Sequence, residues 1–161
     1  MKIMTLPCGD KVKLCEKGYK LIKDYSWSKA GKCYVARRVE GKRKPNGERT
    51  RPSIYMHRQL TGAVKGQEVD HINGDKLDNR LCNLRLCTSQ QNKYNRKSSW
   101  GSSKFKGVTF NKRAKKWAAN IKDNKYMFLG YFEKEEEAAL AYNREAARLH
   151  GEFALLNEVG K

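Results

Sequence analysis

No apolar run in the 161 residues approaches the roughly 18 that a membrane-spanning helix needs. The opening Met1-Lys2-Ile3-Met4-Thr5-Leu6-Pro7 is too short and broken for the apolar region of a secretory signal. The expectation is a soluble, intracellular protein with no membrane partner. Pairs of the form C-x-x-C are also missing. The five cysteines, Cys8, Cys15, Cys33, Cys82 and Cys87, are odd in number, so no structural zinc is expected and the thiols read as reduced; a zinc site on Cys82 and Cys87 is the alternative. Acidic residues are scarce against basic ones, 17 to 35, leaving a net charge of +18. Such a surplus points to a polyanionic partner, nucleic acid before a membrane surface.

What is present is punctuated by turns. The length leaves room for one domain or two or three small ones, since cores become marginal below about 60 residues. Residues 1–52 read as a β-rich N-terminal segment, with short strands at Val12-Lys13-Leu14, Tyr19-Lys20-Leu21-Ile22 and Cys33-Tyr34-Val35-Ala36 separated by Gly9-Asp10, Lys17-Gly18 and Ala30-Gly31. The basic stretch Arg37-Arg38, Lys42-Arg43-Lys44 and Arg49 to Arg51 carries the turn signal Pro45-Asn46-Gly47. It is either a solvated loop or a phosphate-contacting hairpin. Ser53 to Arg58 reads as a strand leading into a short helix that ends near Thr61-Gly62, with His57 as a hydrogen-bonded structural residue.

The chain is organised around the stretch that opens with Val69-Asp70-His71-Ile72-Asn73-Gly74-Asp75 and runs on to Asn92. Glu68 to Ile72 is a short strand, and Asn73-Gly74-Asp75 is a turn that tolerates positive φ. Leu84-Arg85-Leu86-Cys87 makes a second strand. Thr88-Ser89-Gln90-Gln91 has the form of a capping box, so a helix starts at Thr88 with Asn92 in its first turns. Strand, loop, strand, helix is a small ββα unit that draws Asp70, His71 and Asn92 together. Phosphodiester hydrolysis wants such groups, because histidine titrates near neutrality and serves as a base. A hard divalent cation screens charge and stabilises the leaving oxygen, and it prefers oxygen ligands such as a carboxylate and an amide.

Asp70-His71, Asn83 and Asn92, with Asp78-Asn79-Arg80 and Asn83-Leu84-Arg85 between them, resemble the HNH endonucleases of the homing and phage-encoded type, whose core is a ββα-metal fold. The resemblance covers residues 53–98. It implies that His71 is the general base, that Asp70 and Asn92 ligate one divalent metal, that Asn83 braces the loop holding His71, and that the products carry 3′-hydroxyl and 5′-phosphate ends. Where the family's name implies a second histidine, this chain has Asn92, a ligand favouring Mg²⁺ or Mn²⁺. Asn95 and Arg96, three and four residues beyond Asn92, would share its helix face and reach the DNA backbone.

Past a small-residue linker at 99–104, residues 105–158 form a separate unit. Phe105 to Asn111, Lys116 to Lys122 and Tyr126 to Phe132 read as strands, the second alternating Trp117, Ala119 and Ile121 against Ala118, Asn120 and Lys122. A helix from about Lys134 to His150 comes next, with glutamates at its positive end and Gly151 as its stop. Phe105-Lys106-Gly107-Val108, Trp117-Ala118-Ala119, Leu129-Gly130-Tyr131-Phe132 and Glu136-Glu137-Ala138-Ala139 with Ala141-Tyr142 resemble the DNA-binding domain of plant ethylene-response factors, the APETALA-two type. That likeness implies a three-stranded sheet laid in the major groove, with Lys106, Thr109, Asn111, Asn120, Lys122, Tyr126 and Phe128 facing DNA. Several family arginines are replaced here, and Phe128 stands at the family's tryptophan, so the plant target does not transfer.

The whole is expected to be an α+β chain: the β-rich segment, the ββα-metal core, then a three-stranded antiparallel sheet packed on one helix. The expected function is a metal-dependent endonuclease of the homing type, acting on double-stranded DNA in a phage or bacterial cytoplasm as a monomer or homodimer. A non-catalytic, sequence-preferring DNA-binding regulator is the alternative.

Overall fold

The computed structural model describes residues 1–97 and 101–160, and the start of the expected linker, at residues 99 and 100, lies outside them. The chain is α+β and divides into two compact units, Met1–Asn92 and Lys93–Lys161.

The first unit opens with an antiparallel hairpin of β1 (Lys2–Thr5) and β2 (Lys11–Leu14). Helix α1 (Glu16–Ile22) follows, so Tyr19 to Ile22 is helical and not the strand expected. The Cys15 thiol accepts from the Gly18 amide and caps the helix, Glu16 sits at its positive end, and Gly18 and Ile22, four residues apart, are buried. A run of four apolar residues satisfies either period, and capping decides it here. Strands β3 (Ser28–Ala30), β4 (Tyr34–Arg38) and β5 (Ser53–Tyr55) form an antiparallel sheet in that order. β5 runs directly into α2 (Met56–Thr61), which Gly62 ends in the left-handed region at φ 67°.

Next, β6 (Glu68–His71) pairs antiparallel with β7 (Leu84–Cys87), setting Asp70 opposite Arg85 and His71 opposite Leu84. Helix α3 (Ser89–Tyr94) is entered through a reciprocal cap: the Gln91 amide donates to Thr88 Oγ1 (3.2 Å) and the Thr88 amide to Gln91 Oε1 (2.9 Å). Met56, Leu60, Val69 and Leu84 share one hydrophobic core with Leu6, Val12, Leu14, Ile22, Trp27 and Val35. The ββα segment is therefore seated on side chains from the first 35 residues.

In the second unit β8 (Val108–Asn111), β9 (Lys116–Lys122) and β10 (Tyr126–Phe132) form an antiparallel sheet with β9 central. Helix α4 (Glu135–His150) covers one face, Ala138, Ala139 and Ala141 packing with Val108 and Ala119, and Tyr142 and Ala146 with Ile121. The first strand starts at Val108 and not at Phe105. Gly107 turns the chain at φ 75°, in a space where any side chain would collide with the Tyr142 ring and the Asn120 carbonyl.

Ile22 is fully buried in the first core. Ile22→Ala is expected to lower the unfolding free energy by about 2–5 kcal/mol, read from urea denaturation; a loss below about 1 kcal/mol would contradict this packing.

Candidate active site and nucleic-acid interface

The turn between β6 and β7 is built from side-chain amides and carboxylates. Gly74, at φ 76°, donates its amide to the His71 carbonyl (2.8 Å), which turns the chain away from the strand. Asn83 then spans the loop. Its Oδ1 accepts from the Asn73 amide (3.0 Å), and its Nδ2 donates to Asn73 Oδ1 (3.0 Å) and to the Asp78 carbonyl (2.8 Å). Asp78, 1% exposed, accepts from Asn73 Nδ2 (2.9 Å) and from the Arg80 fork (2.8 and 2.7 Å). The guanidinium of Arg80 holds the Asp78 carboxyl below the usual range. From outside, β2 grips the same loop: the Lys13 amide donates to the Leu77 carbonyl (2.9 Å), the Asn79 amide to the Lys13 carbonyl (2.9 Å), and Lys13 Nζ pairs with Asp75 (3.1 Å).

His71 ends β6 with no solvent exposure. Its ring lies 5.3 Å from that of His57, edge to face, and 6.4 Å from that of Tyr34. Burial pushes its pKa down to about 4, and the Lys76 ammonium adds to this, while the Asn79 side chain and the Asp70 and Asp75 charges pull the other way. His57 is lowered to about 4 as well, by burial first and then by His71, Arg58 and Lys76. Both imidazoles are neutral at pH 7. Sequence alone presents His57 as a structural residue. Its place beside His71 depends on α2 packing against β6 and β7, which no local pattern encodes.

Asp70, next along the chain but on the other side of β6, has different surroundings. It is 1% exposed and its Oδ2 accepts from Arg85 Nε (2.9 Å) and Nη2 (2.7 Å), directly across the strand pair. Asn92, on α3, donates its Nδ2 to Glu68 Oε2 (2.6 Å), tying the helix to β6 two residues before Asp70. That bond commits the amide nitrogen and leaves the carbonyl oxygen as the atom of Asn92 that could face a cation. Glu68, which sequence reasoning did not single out, alternates in phase with Asp70 along the strand. The oxygens of Glu68, Asp70 and Asn92 suit a hard divalent cation, while the buried Cys87 thiol, opposite Glu68 across the strand pair, and the Arg85 guanidinium against Asp70 share this side of β6. Asn95 and Arg96 fall past the end of α3, a short helix that buries none of its residues, so the shared helix face expected for them with Asn92 does not form.

In the second unit the sheet face away from α4 carries most of the expected DNA-facing positions. Tyr126 is paired with Lys122, Phe128 with Asn120, and Asn111 with Lys116 across the strands. Thr109, Lys122, Tyr126 and Phe128 are exposed. Lys106 lies elsewhere: its ammonium donates to the Tyr94 carbonyl, and burial lowers its pKa to about 8. Tyr131 joins the open face, although strict alternation from Phe128 would turn it inward. A bulge between Phe128 and Gly130, with Gly130 at φ 132°, shifts the phase. Tyr131 thereby meets Phe128 edge-on at 4.9 Å and accepts from Asn111 Nδ2 (3.0 Å). The glycine was the available signal.

Residues 55–94, from the end of β5 through α3, match the HNH endonuclease family. An uncharacterized HNH endonuclease of Acanthamoeba polyphaga mimivirus is 40% identical over 91 residues, 56% of this chain and 47% of that protein. Protein 3.8 of Escherichia phage T7 is 33% identical over 107 residues, 65% of this chain and 88% of that protein. The chain carries an HNH endonuclease segment at residues 55–94. A second likeness stands beside it: the APETALA2-like protein 2 of rice is 47% identical over 60 residues, 35% of this HNH chain and 14% of the rice protein. The chain thus spans under half the length of the mimivirus relative and a small part of the plant one. Among the described residues no helix is long and apolar enough to cross a membrane.

The neutral histidine pair makes this HNH protein acid-sensitive. Both folded pKa values, about 4, lie below the ordinary 6.5, so unfolded chains bind more protons between those limits. Stability is complete above about pH 6.5 and falls as pH drops through about 4. The urea midpoint at about pH 5 is expected below that at about pH 7, with a smaller difference in His57→Phe. Identical midpoints would contradict the burial described.

Proposed function

We propose that this HNH protein is a metal-dependent endonuclease of the homing type that hydrolyses phosphodiester bonds of double-stranded DNA. The observation that carries the reading is a buried, neutral imidazole, His71, following a buried carboxylate, Asp70, inside the stretch that matches the family.

A neutral imidazole has the lone pair needed to take a proton from an attacking water, so His71 is the general base. Asn83 holds the loop that fixes the backbone of His71, and the negative charges of Asp70 and of an incoming phosphate favour the imidazolium that proton transfer creates. Asp70 and the Asn92 oxygen would hold one divalent cation, Mg²⁺ or Mn²⁺, which when bound supplies charge neutralisation at the phosphate and the leaving oxygen. Thr109, Asn111, Asn120, Lys122, Tyr126 and Phe128 would rest on duplex DNA, tethering the nuclease to preferred sites as a linked module does.

The test is incubation of long duplex DNA with Mg²⁺, with a chelator in its place, and with His71→Ala. Cleavage is expected only in the first, with the variant slower by a factor of about 10²–10⁴. Intact DNA in all three, with binding retained, would instead identify a non-catalytic DNA-binding regulator.

A further inference from the structure

Beyond Ala36, β3 no longer accompanies β4, and the chain continues as a two-stranded arm. Past the Arg38–Ser53 pair, the Val39 amide donates to the Pro52 carbonyl (3.1 Å), Gly41 to Thr50 (2.9 Å) and Thr50 to Lys42 (3.0 Å). An isolated bridge joins Arg43 and Arg49. The Lys44 amide donates to the Glu48 carbonyl (2.7 Å) around a turn with Gly47 at φ 85°. At Gly41 the strands touch, leaving no room for a side chain beside Thr50. The arm is a defined ribbon, yet none of its side chains enters a hydrophobic core.

Its charge is lopsided. Residues 38–51 hold six cations, Arg38, Lys42, Arg43, Lys44, Arg49 and Arg51, against two carboxylates, Glu40 and Glu48. Glu40 is paired with Arg49 (2.9 Å) and Glu48 with Lys44 (3.2 Å). Among the described residues no carboxylate lies within ion-pair distance of Arg38, Lys42, Arg43 or Arg51, all exposed. A bare two-stranded ribbon is marginal in water, and clustered like charges weaken it further. A bound polyanion removes that penalty.

We propose that this ribbon is a separate anchor that grips the phosphates of duplex DNA, an inference that rests on the nuclease reading and adds a binding surface outside its catalytic loop. A two-stranded ribbon fits the width of the major groove, which sets its flanking cations against the phosphates on either side.

The test measures binding of the full chain to a fluorescent duplex of about 30 base pairs, in chelator, over a range of salt. Lys42→Gln/Arg43→Gln/Arg51→Gln is compared with the all-lysine variant Arg43→Lys/Arg51→Lys. The triple variant is expected to flatten the slope of log affinity against log salt by about 2–3, roughly 0.9 for each phosphate no longer gripped, while the lysine variant keeps the wild-type slope. A triple variant that folds by circular dichroism and keeps the full slope overturns the anchor but leaves the nuclease reading intact. Should the triple variant unfold, Lys42→Gln and Arg51→Gln singly are each expected to flatten the slope by about 0.9, and an unchanged slope in both overturns the anchor. Wild-type protein with no salt-dependent duplex binding overturns both readings, and tighter binding to double-stranded RNA at matched salt overturns the choice of DNA.

Discussion

Asn83 joins the two sides of the β6–β7 loop through a single side chain, accepting from the Asn73 amide and donating to Asn73 Oδ1 and the Asp78 carbonyl. Everything proposed for the site depends on this clamp. A loop of polar residues competes with water for every hydrogen bond, and it stays in one conformation only when its buried groups find partners inside. Asp78 is met by Arg80 and Asn73, and β2 holds Leu77 and Asn79 through its backbone. The result fixes the direction in which the chain leaves His71. The N-terminal hairpin is thus structural support for the chemistry, and the core that joins Leu14 and Ile22 to Met56 and Leu84 makes the support rigid.

Electrostatics work in opposite directions at the two scales of the molecule. The surface carries a large positive excess, which raises the local concentration of a polyanion. The interior of the site excludes positive charge from its imidazoles, with burial as the dominant cause and neighbouring Lys76 as a second. On the other side of β6, the buried Asp70 carboxylate is paired with Arg85. Adjacent residues on one strand therefore have separate jobs because the pleat separates their environments.

Much of this was legible in the sequence. The strand, loop, strand, helix order of the ββα unit, the reciprocal Thr88–Gln91 cap, and the strands β9 and β10 with their covering helix follow from short-range patterns that tertiary packing does not override. The misses have identifiable causes. Tyr19 to Ile22 is too short to distinguish a period of two from one of 3.6, and a thiol cap settled it. Tyr131 reaches the open face only because a bulge breaks alternation. Lys106, set on the DNA face by the family likeness, precedes a turning glycine, and its ammonium is held by the Tyr94 carbonyl. Glu68 and His57 matter only through partners 24 and 14 residues away, Asn92 and His71, and nothing local announces them.

The central claim is that His71 is held buried and uncharged, ready to accept a proton. Its imidazole carbon and nitrogen shifts, followed by NMR across an acid titration of the full chain, test this directly. The account predicts a midpoint near 4, well below the ordinary 6.5. A midpoint at or above 6.5 would mean that the ring is solvated or charge-stabilised, and would contradict it.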